Sequence, residues 1–192
     1  FASPSFKHEI YTGVVAGQNK VDLNIYYDPR DSVLWSRAGV YAARALEFYS
    51  DWLGAYPYPQ MSVVSAPLSA GGGMEYPMVA QIGYMGDSAS LDLVIAHEIG
   101  HTWLYGILAN NERAHPWMDE GLNSYLQYLT QELWDNKFPS TGGVPANITD
   151  YMKLPKDQLE PIMTNSENIK NFGANAYDKV ATGLNILRET IV

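Results

Sequence analysis

His97, Glu98 and His101 bring together the residue types of metal chemistry at a spacing a helix can use. On an α-helix, positions i and i+4 lie on one face about a turn apart, so both imidazoles can reach one ion. Glu98 sits next to the first histidine, where its carboxylate can touch a water on that ion without ligating the metal. This is the HExxH arrangement, in which the histidines hold zinc and the glutamate acts as general base. Four histidines and ten glutamates in 192 residues would produce it by chance about 0.004 times per chain. The competing reading is a buried helix whose histidines are satisfied by ordinary hydrogen bonds. A catalytic zinc takes three protein ligands and keeps a fourth position open. Glu120, within Trp117-Met118-Asp119-Glu120-Gly121, follows His101 after 18 intervening residues and is the candidate third ligand.

Composition narrows what surrounds this group. A chain of 192 residues that is 46% hydrophobic can bury a sizeable core and is read as one domain, 1–192. With no cysteine, a zinc must be held by histidine and carboxylate. A net charge of −9 argues against nucleic acid, which needs a basic footprint. No apolar run is long enough for a transmembrane segment. The start, Phe1-Ala2-Ser3-Pro4, lacks a methionine and resembles no signal peptide, so a mature product or an excised piece is expected. The lack of cysteine suits reduced and oxidising compartments alike. An exported or cell-envelope location is the expectation carried forward.

The elements that must position these residues are legible in outline. Residues 1–31 look extended, with Val21, Leu23, Ile25 and Tyr27 alternating with Asp22, Asn24 and Tyr26 as in a half-buried strand. Asp28-Pro29-Arg30-Asp31 turns the chain. From Ser32 to about Gly54, Leu34, Ala38, Tyr41, Ala45, Phe48 and Trp52 form a helical stripe, capped by Ser32. Tyr56-Pro57-Tyr58-Pro59 stops it. Residues 61–67 and 78–83 read as strands. Between them, Gly71-Gly72-Gly73 allows either a close approach to a ligand or a flexible hairpin loop. Asp87, with Ser88 or Ser90, caps the helix of the histidines, which runs to about Leu108, and a second helix covers about 119–134. Residues 136–173 read as a long irregular segment with one or two short helices, the kind that often lines sites. Asn147-Ile148-Thr149 matches a glycosylation pattern. The segment 174–192 is helical, with Val180, Leu184, Leu187 and Ile191 on one face and no cap at its end, so a longer natural protein is expected.

Taken together, these motifs resemble the gluzincin aminopeptidases, the family of aminopeptidase N. Trp103 follows the second histidine as in that family's HExxHxW run, and Trp117-Met118-Asp119-Glu120-Gly121 with Ser124-Tyr125 is similar to its WLNEGFASY. Phe48-Tyr49 through Tyr56-Pro57-Tyr58-Pro59 matches the stretch before the substrate strand, and Gly72-Gly73-Met74-Glu75 falls at the GxMEN motif. Tyr177-Asp178-Lys179 resembles the YxKG motif. The matches run in order from about 32 to 192. Tyr76 stands in place of Asn in GxMEN, Val180 in place of Gly in YxKG, and Leu104-Tyr105-Gly106 in place of Phe-Gly-Asn.

The resemblance implies an α+β, thermolysin-like zincin catalytic domain: a small mixed sheet lobe, then a helical lobe, with the metal between them. Zinc on His97, His101 and Glu120 would lower the pKa of its water toward about 7. Glu98 would take that proton and pass it to the leaving amine. Tyr177 is implied as the donor to the developing oxyanion, and Gly72, Gly73 and Met74 as backbone that binds substrate. Glu75, beside a Gly-rich edge strand, is the candidate for holding a free α-amino group. Asp119 either orients a ligand histidine or serves as the acid of a helix N-terminus. His115 reads as a loop histidine, and His8 has no evident partner. The partners expected are peptide substrates and flanking domains of the same natural chain. An aminopeptidase is the leading expectation. The alternatives are an endopeptidase, if Tyr76 marks lost amine recognition, and a non-catalytic peptide-binding scaffold.

Overall fold

Strict alternation of apolar and polar residues starts the sheet. In the computed structural model, which describes residues 3–69, 71–134 and 144–191, β1 (Lys7–Ala16) and β2 (Asn19–Tyr27) form an antiparallel hairpin. Val21, Leu23, Ile25 and Tyr27 of β2 are buried as the alternation requires. The chain divides into two compact units, one ending at Trp103 and one starting at Leu104.

The first unit is built on a five-stranded mixed sheet. Its order is β1-β2-β3-β5-β4, where β3 is Gln60–Ser65, β4 Gly73–Tyr76 and β5 Val79–Ile82. The central pairs β2–β3 and β3–β5 are parallel and the outer pairs antiparallel, so β4 lies at an edge. The register aligns Ile25, Val63, Ala80 and Glu75 across four strands. In-register neighbours point to the same face of a sheet. Glu75 therefore shares the face of three buried apolar residues, as does Gly73 two positions before it.

Helices cover that face. The helical stretch after β2 is not continuous from Ser32, as its stripe suggested, but breaks into α1 (Ser32–Trp35) and α2 (Ala38–Leu53). The reason is local: Ser32 Oγ donates to the Pro29 carbonyl at 2.5 Å and Ser36 Oγ to that of Val33 at 2.8 Å. Such hydroxyls compete with the backbone ladder. Along α2 the buried face is Ala38, Tyr41, Ala42, Ala45, Leu46 and Tyr49, while Trp52 is half exposed. Near the helix end Tyr49 is buried where the stripe named Phe48, so the core face of α2 runs to one side of the expected stripe. The next helix, α3 (Ser88–His101), packs against α2, β4 and β5.

In the second unit, a π-helical turn (Trp117–Gly121) leads into α4 (Leu122–Trp134). The expected irregular segment is described from 144 onward and holds α5 (Thr149–Met152) and three 3-10 turns; its part from 136 to 143 lies outside the described residues, as do Phe1, Ala2 and Val192. Asn147 is exposed on the first of these turns. Another π-helical turn (Gly173–Asp178) opens α6 (Lys179–Ile191), which packs on α4. Val180, Ala181 and Thr182 are buried, but Leu187 and Ile191 are exposed, so the expected apolar face is covered only over its first part. Among the described residues, no helix is long and apolar enough to cross a membrane.

Candidate metal centre

The helix of the histidines starts where its sequence said it should. Asp87 Oδ1 accepts from the Ser90 N–H and Asp87 Oδ2 from Ser90 Oγ, each at 2.9 Å, a side-chain cap for donors that have no partner in the first turn. Leu91, Ile95 and Ile99, four residues apart, are buried. That stripe fixes the roll of α3, and the roll decides where His97 and His101 point.

They point at each other. Their Nε2 atoms are 3.1 Å apart and their ring planes are at 85°. Two nitrogens about 2.05 Å from one tetrahedral zinc would be ~3.3 Å apart, so the pair fits as two ligands of a single ion. His101 is almost fully buried, whereas His97 is partly open.

Glu98, 5% exposed, lies against β4. A β-carbon added to Gly73 would run into its carboxyl carbon and Oε1. The glycine run thus does use close approach, but toward Glu98 of the same chain. Glu75, on the same face of β4 as Gly73, stands at the sheet edge, while Met74 and Tyr76 alternate to the other face. Gly72 lies in the turn before the strand, its carbonyl accepting from the Gly83 N–H at 2.8 Å.

The far end of α3 is locked by aromatic residues. Trp103 Nε1 donates to the Gly54 carbonyl at 2.8 Å, and the indole stacks on Tyr49 and leans on Tyr56. Tyr56 in turn donates to the Gln60 carbonyl at 3.1 Å. The Trp103 and Tyr-Pro-Tyr-Pro motifs therefore meet in one cluster, holding the chain two residues past His101. In the sequence Tyr49 stands out only as part of the stretch before the substrate strand, outside the helical stripe. Its hydroxyl is fully buried; burial first, and then the nearby Glu98 charge, push its pKa up.

Glu120 and Tyr177 belong to the second unit, each on a π-helical turn. These turns pack together: a β-carbon on Gly121 would strike the Val180 side chain and the Ala176 carbonyl. Val180, which replaces the family's glycine, fills space that Gly121 leaves open. Asp119 is buried and Glu120 partly so. The Tyr177 ring meets Phe172 edge-on at 6.0 Å. A third π-helical turn, Thr102–Ile107, follows directly on His101. All three π turns among the described residues adjoin or hold a candidate residue, in keeping with their frequency at functional sites. Of the remaining histidines, His115 lies exposed in the connection, and His8 bonds Asn24 Oδ1 at 2.9 Å while stacking on Tyr26.

Residues 40–192 match the peptidase family M1 domain, and the chain belongs to that family. Aminopeptidase M1-C of Oryza sativa subsp. japonica is 26% identical over 200 residues, covering 92% of this chain and 22% of its own. Aminopeptidase M1-B of the same organism is 26% identical over 164 residues, covering 77% and 19%. The chain thus spans about a fifth of the length of these curated relatives. In fold it is similar to the M1 zinc metallopeptidase from Deinococcus radiodurans, with a TM-score of 0.69 at 22% identity over 97% of this chain and 41% of that one. The fold is α+β, as the motifs implied.

Proposed function

We propose that this chain is the zinc-binding catalytic part of a peptidase that releases N-terminal residues from peptides. The convergence of the His97 and His101 Nε2 atoms at 3.1 Å is the observation that supports it most directly. Membership of family M1 and similarity to aminopeptidases support the reaction class.

In this reading His97, His101 and Glu120 hold one zinc ion, His and carboxylate being the donors a cysteine-free chain can offer. The ion, when bound, supplies Lewis acidity and a water acidic enough to act near neutral pH. Glu98 is the general base: it is confined against Gly73, next to a ligand but one position off the histidine face. Its burial keeps competing water from the carboxylate. Tyr177 donates to the oxyanion that develops on the substrate carbonyl. Asp119, buried beside Glu120, is suited to orient a ligand.

Gly72, Gly73, Met74 and Glu75 form the substrate edge. A strand at a sheet edge has backbone groups free of a sheet partner on one side, to which an extended peptide can add. Glu75 would pair with the cationic amino end. Because Tyr76 projects to the opposite face, its replacement of asparagine leaves the Glu75 face unaltered. That alternation favours the aminopeptidase reading over the endopeptidase one.

The test separates ligand from base. His97→Ala should lose most of the bound zinc, measured by metal analysis of dialysed protein, whereas Glu98→Gln should keep it. In the enzyme, Glu98→Gln should lose nearly all turnover. Zinc retained in His97→Ala, or lost in Glu98→Gln, would overturn the assignment.

A further inference from the structure

Tyr177 sits on a turn that is fastened from behind. Asn175 and Lys179 lie two residues before and after it. In helical geometry, positions i−2 and i+2 share the side opposite to position i. Both side chains donate to consecutive carbonyls of one strap: Asn175 Nδ2 to Pro161 O at 3.1 Å and Lys179 Nζ to Glu160 O at 2.5 Å. The strap is itself fixed. The Tyr151 hydroxyl accepts from the Glu160 N–H at 3.1 Å, its ring lies 5.4 Å from Lys179 Nζ, and Glu160 Oε1 accepts from the Lys170 N–H at 2.8 Å.

The fastening matters because of what it holds. A π-helical turn contains one residue more than an α-turn would and occurs mostly as a single turn inserted in an α-helix, so moving that residue along the chain would re-phase the helix around it. Each residue so moved rotates its neighbours by about 100°. Such a rotation would carry the Tyr177 hydroxyl to another side of the helix. Asn175 has no exposed surface, so its amide is not a solvent group that happens to touch the strap. Lys179 is drawn inward as well, its ammonium pKa lowered by burial and held up in part by Glu160. A cation does not leave water for a carbonyl without a structural gain elsewhere.

We propose that Asn175 and Lys179 are positioning residues for Tyr177, clamping the back of the Gly173–Asp178 turn to the strap at Glu160-Pro161 and so setting where the tyrosine hydroxyl stands. This rests on the reading of Tyr177 as the oxyanion donor. The lysine of the Tyr-x-Lys motif then acts through the tyrosine and not on the substrate.

The test uses the zinc-loaded enzyme with Lys179→Met, Lys179→Arg, Tyr177→Phe and the double variant Lys179→Met/Tyr177→Phe. Lys179→Met should lower kcat about tenfold, the effect of losing a charge-assisted hydrogen bond, with KM within about twofold and zinc content unchanged. Lys179→Arg should restore most of kcat. In the Tyr177→Phe background, Lys179→Met should cost less than about twofold, because two residues acting as a unit are not additive. Amide exchange at 173–178 should be about tenfold faster in Lys179→Met, with α4 unchanged. A full tenfold loss in the Tyr177→Phe background, or unaltered exchange at 173–178, would overturn the clamp. If Tyr177→Phe keeps full kcat, the oxyanion reading falls, and the exchange result alone decides the clamp. Should Lys179→Met fail to fold, Tyr151→Phe, which removes only the hydroxyl on the strap, is judged by the same cycle and exchange.

Discussion

Gly73 lies so close to the Glu98 carboxyl that no β-carbon can stand between them. The edge strand and the helix of the histidines are thereby in contact at the residue with the most exacting position in the proposed chemistry.

Gly73→Ala should separate stability from function. The atoms a methyl group would strike all belong to the Glu98 side chain, from Cγ outward, and none to backbone, so Glu98 can shift its rotamer at a cost of about 1 kcal/mol. A displaced base works poorly even when the fold is intact, since misplacement by about 1 Å can cost ~100-fold. The variant should unfold within a few degrees of the parent, retain zinc, and lose ~100-fold in kcat. Calorimetry, metal analysis and steady-state kinetics check the three parts. Undiminished kcat would show that Glu98 does not need the place it occupies.

Gly121→Ala should behave in the opposite way. Here the added carbon meets a backbone carbonyl, that of Ala176, as well as Val180. A backbone cannot swing aside, and overpacking of this kind costs about 1–3 kcal/mol. That corresponds to a Tm lower by roughly 2–4 °C per kcal/mol in a chain of this size. Val180→Ala in the same chain should restore little, because the carbonyl remains. Full recovery of Tm in the double variant would place the conflict in the Val180 side chain alone.

The two glycines show where the sequence could be understood and where it could not. The facing of His97 and His101 was legible because residues four apart share one face of a helix, and Asp87 marked where that helix begins. The alternation in β2 and the order of the motifs led to the right fold class. The glycine run was ambiguous, since a residue without a side chain does not reveal what it makes room for. The break at Ser36 was hidden because serine hydroxyls bond carbonyls only once the local geometry is formed. None of the three π-helical turns was legible either. They change the period of the helix by a single residue, which an apolar stripe of two or three positions cannot register.

Alkaline pH should unfold the chain through its buried tyrosines. The Tyr27 hydroxyl is pushed up to about 12, by burial first and then by its hydrogen bond to Glu9. Tyr128 is likewise raised to about 12, by burial and then by the Asp178 charge. Burial moves Tyr49 in the same direction. In the unfolded chain tyrosines ionise near ~10. Between about pH 10 and 12 the folded state therefore keeps protons that the unfolded state has lost, and stability falls as pH rises. Below pH 10 these groups contribute no slope. Urea midpoints from pH 8 to 11.5 should be flat and then decline, and Tyr128→Phe should make the decline shallower. An identical decline in Tyr128→Phe would assign it to other groups.

Amine recognition at Glu75 is the most discriminating prediction for substrate choice. Register places Glu75 on the same face as Gly73, and hence on the side of β4 that Glu98 approaches. A peptide added along this edge would bring its first residue past Glu98, with its amino end beside Glu75. The free amine is cationic near neutral pH, and a charge-assisted hydrogen bond to it is worth about 1.5–3 kcal/mol. That is ~10- to 150-fold in kcat/KM. In the enzyme, peptides with a free amino end should be cleaved and their N-acetylated forms spared. Glu75→Ala should reduce the discrimination by that factor while leaving zinc content unchanged. Tyr76→Asn should leave it within about twofold, because residue 76 projects to the other face of the strand. Rapid internal cleavage of N-acetylated peptides by the parent enzyme would instead assign this edge to an endopeptidase.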